Sequence, residues 1–153
     1  MRKLGFFLKY WLPVVLWMAV IFTGSSDSHS YEHSSLFVEP LLRWLFPQMT
    51  QEHIETIHLY IRKCGHLAEY AVLALLLWRA LRRPVKNDSR PWVWREAQLA
   101  LGIVMLYAAT DEFHQIFVPE RTGLLSDVFI DTAGGAVGLL ALRVYDIFRK
   151  SKR

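Results

Sequence analysis

Ten side chains of this 153-residue chain could do chemistry together, and they fall in three short runs. The first is Lys63-x-x-His66-x-x-Glu69-Tyr70. The second is Asp111-Glu112-x-x-Gln115, with Arg121 beyond it, and the third is Asp127-x-x-x-Asp131. A histidine among carboxylates is a set that moves protons, and crowded carboxylates can share one. His66, Glu69, Asp111, Glu112 and Asp127 are therefore the candidate catalytic groups. Lys63, Tyr70, Gln115, Arg121 and Asp131 are the candidates to bind a ligand. The oxygen donors would also suit Mg²⁺ or Ca²⁺, and His66 would admit Zn²⁺, so the residue types alone assign neither a metal nor a cofactor. Cys64 falls within the first run but not among these ten side chains, and apart from Ser126 no nucleophilic Ser or Cys stands in the cluster they would form, which speaks against a covalent intermediate. Cys64 is the single cysteine, so a disulfide framework and a Cys-rich zinc site are both excluded.

The elements that must carry these runs are apolar. The chain is 53% hydrophobic with 21 aromatic residues, and its mean hydropathy is +0.20. Four stretches are long, apolar and poor in charge: about Phe6 to Gly24, Cys64 to Leu81, Ala97 to Val118 and Leu124 to Tyr145. At about 1.5 Å per residue each is long enough to cross a hydrocarbon core of about 30 Å. The first has a basic start but no Ala-x-Ala site, and it reads as a retained span rather than a cleaved leader. The expectation is an all-α membrane protein, one domain over residues 1–153, folded as a four-transmembrane-helix bundle.

Charge placement orients the bundle. Fourteen of the 18 Lys and Arg residues lie before or at the start of the first span, between the second and third, or in the tail. The positive-inside rule then puts both termini and the middle connection in the cytoplasm. A basic nucleic-acid binder would gather such residues on one face. Here they alternate with the spans, so no nucleic acid is expected. The long first outer connection holds Leu36 to Phe46, too short to span and too apolar to float, which reads as an interfacial or re-entrant segment. Gln51 to Arg62 reads as an amphipathic helix, with Ile54, Ile57 and Ile61 on its apolar side and Gln51, Glu55, His58 and Arg62 on the other, able to run on into the second span. Trp11, Trp17, Trp44, Trp92 and Trp94 read as interface anchors or lipid-facing residues.

In this topology the polar runs share one depth. His66 lies about 4.5 Å from the outer end of its span and Glu69 about 9 Å. Glu112 and Asp111 lie about 9 and 10 Å in, and Asp127 and Asp131 about 4.5 and 10 Å. An ionisable group in lipid is expensive and usually faces protein or water, so the convergence marks a site. Asp127 and Asp131 share a face with Gly134, Gly135 and Gly138, and Gly134-x-x-x-Gly138 is a small-residue seam for close helix packing. Asp111 and Glu112 point about 100° apart, so one is expected in the cavity and the other on Arg121 or Lys63. His114 reads as an interfacial histidine. The short connection Val118 to Gly123 makes the third and fourth spans antiparallel neighbours, with Arg121 at the mouth of the cluster.

The pattern resembles the VanZ-like family of small bacterial membrane proteins. The resemblance rests on Lys63-x-x-His66-x-x-Glu69-Tyr70 and on Asp111-Glu112-x-x-Gln115-x-Phe117-x-Pro119-x-Arg121, followed by Asp127-x-x-x-Asp131-x-x-Gly134 and Gly138. It covers about Lys63 to Leu140. The chain departs from the family pattern at Asp27 after the serines and at Asp131, where the family often has Asn. The resemblance implies a multi-pass protein of the bacterial cytoplasmic membrane and a link to resistance against the glycopeptide teicoplanin. Together with the site's depth, it leads to an outward-facing polar site that binds or modifies a lipid-linked envelope precursor or a phospholipid. A non-catalytic accessory or binding protein, and a proton-coupled carrier, are the alternatives. The sequence does not give the oligomeric state.

Overall fold

The computed structural model describes residues 2–26, 30–83, 90–118 and 123–151, without the side chains of residues 2, 3, 30–34 and 37. These residues form six α-helices and no strand: α1 (Arg2–Tyr10), α2 (Leu12–Ser26), α3 (Ser30–Leu45), α4 (Gln51–Arg82), α5 (Trp94–Gln115) and α6 (Leu125–Ser151).

The first expected span is a bent pair, α1 and α2 meeting at Trp11 with a 44° bend. Pro13 accounts for it, since proline has no N–H for the carbonyl four residues back and its ring crowds that turn. The Leu36 to Phe46 run lies in α3 and the turn after it. This is a continuous helix with Leu36, Leu41 and Trp44 exposed, and it packs against α4. Arg43 ties α3 to α4, donating Nη2 to the Gln51 side-chain oxygen at 2.7 Å. Thr50 caps the start of α4, and its hydroxyl accepts from the His53 N–H.

The amphipathic segment and the second span are one helix of 32 residues, about 48 Å long. That exceeds a hydrocarbon core by several turns. The faces of its first third differ from the expected ones. Ile54 and His58 are buried, whereas Ile61 is exposed. The α3 helix packs on α4, and a helical period alone does not say where a neighbour will sit. The helix ends at Arg83, in the left-handed region at φ 52°, where its N–H reaches the Arg79 carbonyl at 3.0 Å.

Length and composition make α4 and α6 candidates to cross a membrane, and the α1–α2 pair a third if its bend lies within one span. The α5 helix is long enough at 22 residues, but Gln98 and the polar end from Asp111 to Gln115 keep it below the apolarity of a free-standing span. It packs against α2, α4 and α6 instead, and its buried stripe runs Ala97, Ala100, Val104, Ala108, Asp111, Glu112 and Gln115.

The α4–α6 pairing is the most extensive in the molecule, and the two helices run parallel. Lys63 meets Asp127 and His66 meets Asp131. Further along, Leu67 stands against Gly134 and Ala71 against Gly138. A Cβ added at Gly134 would lie 2.8 Å from the Leu67 Cα, and one at Gly138 3.0 Å from the Ala71 Cα. The expected Gly-x-x-x-Gly seam is thus the place where the two backbones touch. The α5 helix is antiparallel to α6, with Glu112 near Leu124 and Val104 against Gly135. The core between the helices is built from Val14, Ile21, Leu73, Ala74, Leu77, Ala100, Val104 and Ala108. Outward lie large apolar groups such as Leu106, Phe113, Leu125, Phe129, Val137 and Phe148, a surface suited to lipid tails.

The two ends of the bundle differ in chemistry. At one end Arg82 is buried, donating to Glu96 at 2.9 Å and to the Arg90 and Pro91 carbonyls. Trp78 and Trp92 stack beside it with ring centroids 5.4 Å apart, and Arg143 lies over Trp92. The tryptophans divide in their packing. Trp44 and Trp94 are exposed, whereas Trp11, Trp17 and Trp92 are half-buried and pack against the core. The opposite end carries the polar runs.

Candidate functional site

Four helices, α2, α4, α5 and α6, deliver polar side chains to that opposite end, and they form two groups. The first is a cleft between α4 and α6. Lys63 Nζ donates to Asp127 Oδ1 at 2.7 Å, and one turn deeper His66 Nδ1 stands 3.4 Å from Asp131 Oδ1. Both pairs follow from the parallel packing, which sets α4 residues 63 and 66 level with α6 residues 127 and 131. Exposure falls with depth: 31% for the Lys63 side chain, 17% for Asp127, 15% for His66 and 1% for Asp131. These residues and Arg62 line a cavity of about 210 Å³, with Leu59, Leu124 and Ile130 as its apolar walls. That is small for a whole ligand and suits a head group.

Asp131 is the chemically exposed member of this cleft in one sense. It is fully buried, yet neither carboxylate oxygen accepts a hydrogen bond. His66 is near enough to interact by charge, but the atoms are not aligned for a hydrogen bond, and His66 Nδ1 is likewise without one. A buried acceptor left unmade costs about 1 to 3 kcal/mol. The floor of the cleft therefore favours a donor.

The second group is centred on Asp111 in the bundle interior. Its Oδ2 accepts from Ser25 of α2 at 2.6 Å, from the Tyr70 hydroxyl of α4 at 3.3 Å and from Gln115 Nε2 at 3.3 Å. Gln115 Nε2 also donates to Glu112 Oε1 at 3.2 Å, and Glu112 Oε2 accepts the Leu124 N–H at 2.9 Å. Glu112 thus holds the backbone just ahead of α6. Gly123 is needed there, because a Cβ on it would stand 2.8 Å from Ile116 and would collide with the Glu112 carbonyl.

Several expectations about individual residues change. Asp111 and Glu112 are both buried, and neither lines the cleft; Gln115 and Tyr70 lie with them. The partner of Glu112 is a backbone N–H, not Lys63, which is engaged by Asp127. His66 faces Asp131 across the helix interface and makes no hydrogen bond to Glu69. The Glu69 carboxylate is half-buried and makes no hydrogen bond to a described residue, while its backbone carbonyl accepts Trp17 Nε1 at 2.9 Å. His114 is half-buried against Phe22, with ring centroids 4.4 Å apart. Arg121 and Asp27 lie outside the described residues. Among the described residues no three His, Cys, Asp or Glu side chains converge as a metal centre of that kind would need.

Sequence reasoning left Ser25, Arg62 and the Leu124 N–H out of the site. The Thr23-Gly24-Ser25-Ser26 end of the first span held a signal for Ser25, since a hydroxyl at the end of a span needs a partner. Nothing local marks Arg62 or Leu124, because both join the site through a neighbouring helix.

No curated protein and no solved structure gives a match. A model of the VanZ/LLP1 family matches residues 10–148, nearly the whole chain and every helix of the site. This helical membrane protein, with its polar cleft at one end of the bundle, belongs to the VanZ/LLP1 family.

Proposed function

We propose that this protein holds the phosphate-bearing head group of an envelope lipid, a phospholipid or a lipid-linked precursor, in the cleft between α4 and α6. The observation that carries the reading is the cleft itself, where two cations, Arg62 and Lys63, lie above buried acceptors in a cavity of head-group size. Arginine and lysine are the side chains that bind phosphate best. In this reading α5 is the fourth span, held in the membrane by its packing. Both termini and the connection between α4 and α5 are cytoplasmic, supported by the gathering of Arg79, Arg82, Arg90, Arg143 and Lys150 at the end away from the cleft. The cleft then opens at the outer face of the bacterial cytoplasmic membrane. Family membership supports an envelope setting and a tie to glycopeptide resistance, teicoplanin above all. Any proton transfer in the cleft falls to His66, the one titrating group there suited to neutral pH.

A purely binding role, without catalysis, is favoured by one observation: the Asp111 group is buried among helices and holds three of them together rather than facing the cleft. A carrier is less well supported, because Leu73, Ala74, Leu77, Ala100 and Val104 fill the interior between the two ends with apolar groups. The test is lipid retention. Purified full-length protein is expected to keep bound phospholipid or lipid-linked precursor through delipidation, as read by lipid phosphate per protein. The Lys63→Gln/Arg62→Gln variant is expected to lose most of it. Equal retention by the well-folded variant would refute the reading.

A further inference from the structure

The charges of the cleft point to more than a phosphate. Resting on the head-group reading above, we infer that the ligand is a zwitterionic aminophospholipid, its phosphate on Arg62 and Lys63 and its primary ammonium on Asp131.

The argument starts from the floor. Asp131 has no exposure, lines the cavity and keeps both carboxylate oxygens free of hydrogen bonds. His66 Nδ1, 3.4 Å from Asp131 Oδ1, is half-buried and not aligned to donate to it, and Asp131 Oδ2 has no partner among the described residues. A phosphodiester group has no hydrogen to give Asp131 and would be repelled by it, and a glycerol hydroxyl would donate without offsetting the charge. A primary ammonium offers three N–H donors and the compensating charge. The mouth is the reverse. Arg62 and Lys63 are cationic, and among the described residues lining it only Asp127 opposes them there, through its 2.7 Å contact with Lys63 Nζ.

Among the described residues the cations Arg62 and Lys63 stand toward the mouth and Asp131 at the floor, so the cleft is polarised along its depth. A polarised cleft favours a dipolar ligand, because like charges placed together are costly in a partly dry site. The separation is one helical turn or slightly less, three residues on α4 and four on α6, or about 4.5 to 6 Å. That suits a phosphate and an amine joined by a two-carbon linker. Quaternary amines carry the same charge but have no N–H to give Asp131.

The test compares head groups on matched acyl chains. Full-length protein in detergent is mixed with equal amounts of phosphatidylethanolamine, phosphatidylglycerol and phosphatidylcholine, and occupancy is read by native mass spectrometry. Phosphatidylethanolamine is expected to bind about tenfold more tightly than either competitor, the ratio that one hydrogen bond to a charged group supplies. Asp131→Asn, nearly isosteric, is expected to lose that preference while still binding phosphatidylglycerol. Lys63→Gln is expected to weaken all three alike. Glycerophosphoethanolamine carries the same head group without acyl chains, and the lipid is expected to outcompete it. Preference for that soluble compound would overturn the lipid assignment. Phosphatidylglycerol bound as tightly as phosphatidylethanolamine by the wild type would overturn the inference and leave the head-group reading standing. No lipid bound at all would overturn both. The wild-type comparison decides the matter even if Asp131→Asn does not fold.

Discussion

Gly134→Ala tests whether the α4–α6 seam is as close as the structure has it. The added methyl would stand 2.8 Å from the Leu67 Cα and 3.0 Å from its carbonyl carbon, with the carbonyl oxygen closer still. These are backbone atoms, so relief requires the two helices to part. Overpacking costs typically 1 to 3 kcal/mol, and a backbone obstacle belongs at the upper end. Alanine returns up to about 1 kcal/mol through its better helix propensity. The net is a destabilisation of about 2 kcal/mol, roughly thirtyfold in the unfolding equilibrium. Three other glycines calibrate it. At Gly138 the nearest atoms are 2.9 to 3.0 Å away and belong to Ala71, so about 1 kcal/mol is expected. At Gly135 the obstacles are the side-chain ends of Val104 and Leu101, at 3.0 and 3.4 Å, which can shift, and the change is expected to be near neutral. Gly102 has nothing within 4 Å, and alanine there is expected to be neutral or stabilising. The assay is equilibrium unfolding by SDS titration in mixed micelles, followed by tryptophan fluorescence. The order of stability should be Gly102→Ala, Gly135→Ala, Gly138→Ala and, lowest, Gly134→Ala. A Gly134→Ala protein as stable as Gly102→Ala would refute the packing argument.

Three further outcomes follow from the same geometry. Ser25→Ala removes the shortest hydrogen bond to a buried carboxylate and should cost about 1 to 3 kcal/mol in the same titration, whereas Tyr70→Phe, which loses a 3.3 Å contact, should cost less; the opposite order would mean that Asp111 is held differently. A double-mutant cycle on Lys63→Gln and Asp127→Asn should give a coupling of about 1 to 2 kcal/mol, between the exposed and buried ranges, because the pair is partly exposed. A coupling near zero would remove the ion pair from the mouth of the cleft. In a Cys64→Ala background, Gln51→Cys should react with a membrane-impermeant maleimide on intact protoplasts and Ser151→Cys only after permeabilisation; the reverse pattern would invert the proposed orientation.

The sequence by itself determined the helices and the polarity of the bundle's ends. Helical period and hydropathy are local, so α4 and α6, the small-residue seam and the alternation of basic connections could be read from residues a few positions apart. The grouping of His66, Glu69, Asp111, Glu112, Asp127 and Asp131 at one level was legible for the same reason, since rise per residue fixes depth along a helix. Depth, however, does not fix rotation. Which face of α4 meets which face of α6 is decided by the seam, where Gly134 and Gly138 let the two backbones touch and so set Lys63 beside Asp127, 64 residues away. The same contact carries His66 to Asp131 instead of to Glu69, three residues along its own helix. Asp111 and Ser25 meet across 86 residues because α2 packs on α5. The division of one expected cluster into an open cleft and a buried hydrogen-bonded centre therefore belongs to the tertiary structure alone. Side chains at equal depth become partners only when the packing of helix on helix turns them toward each other.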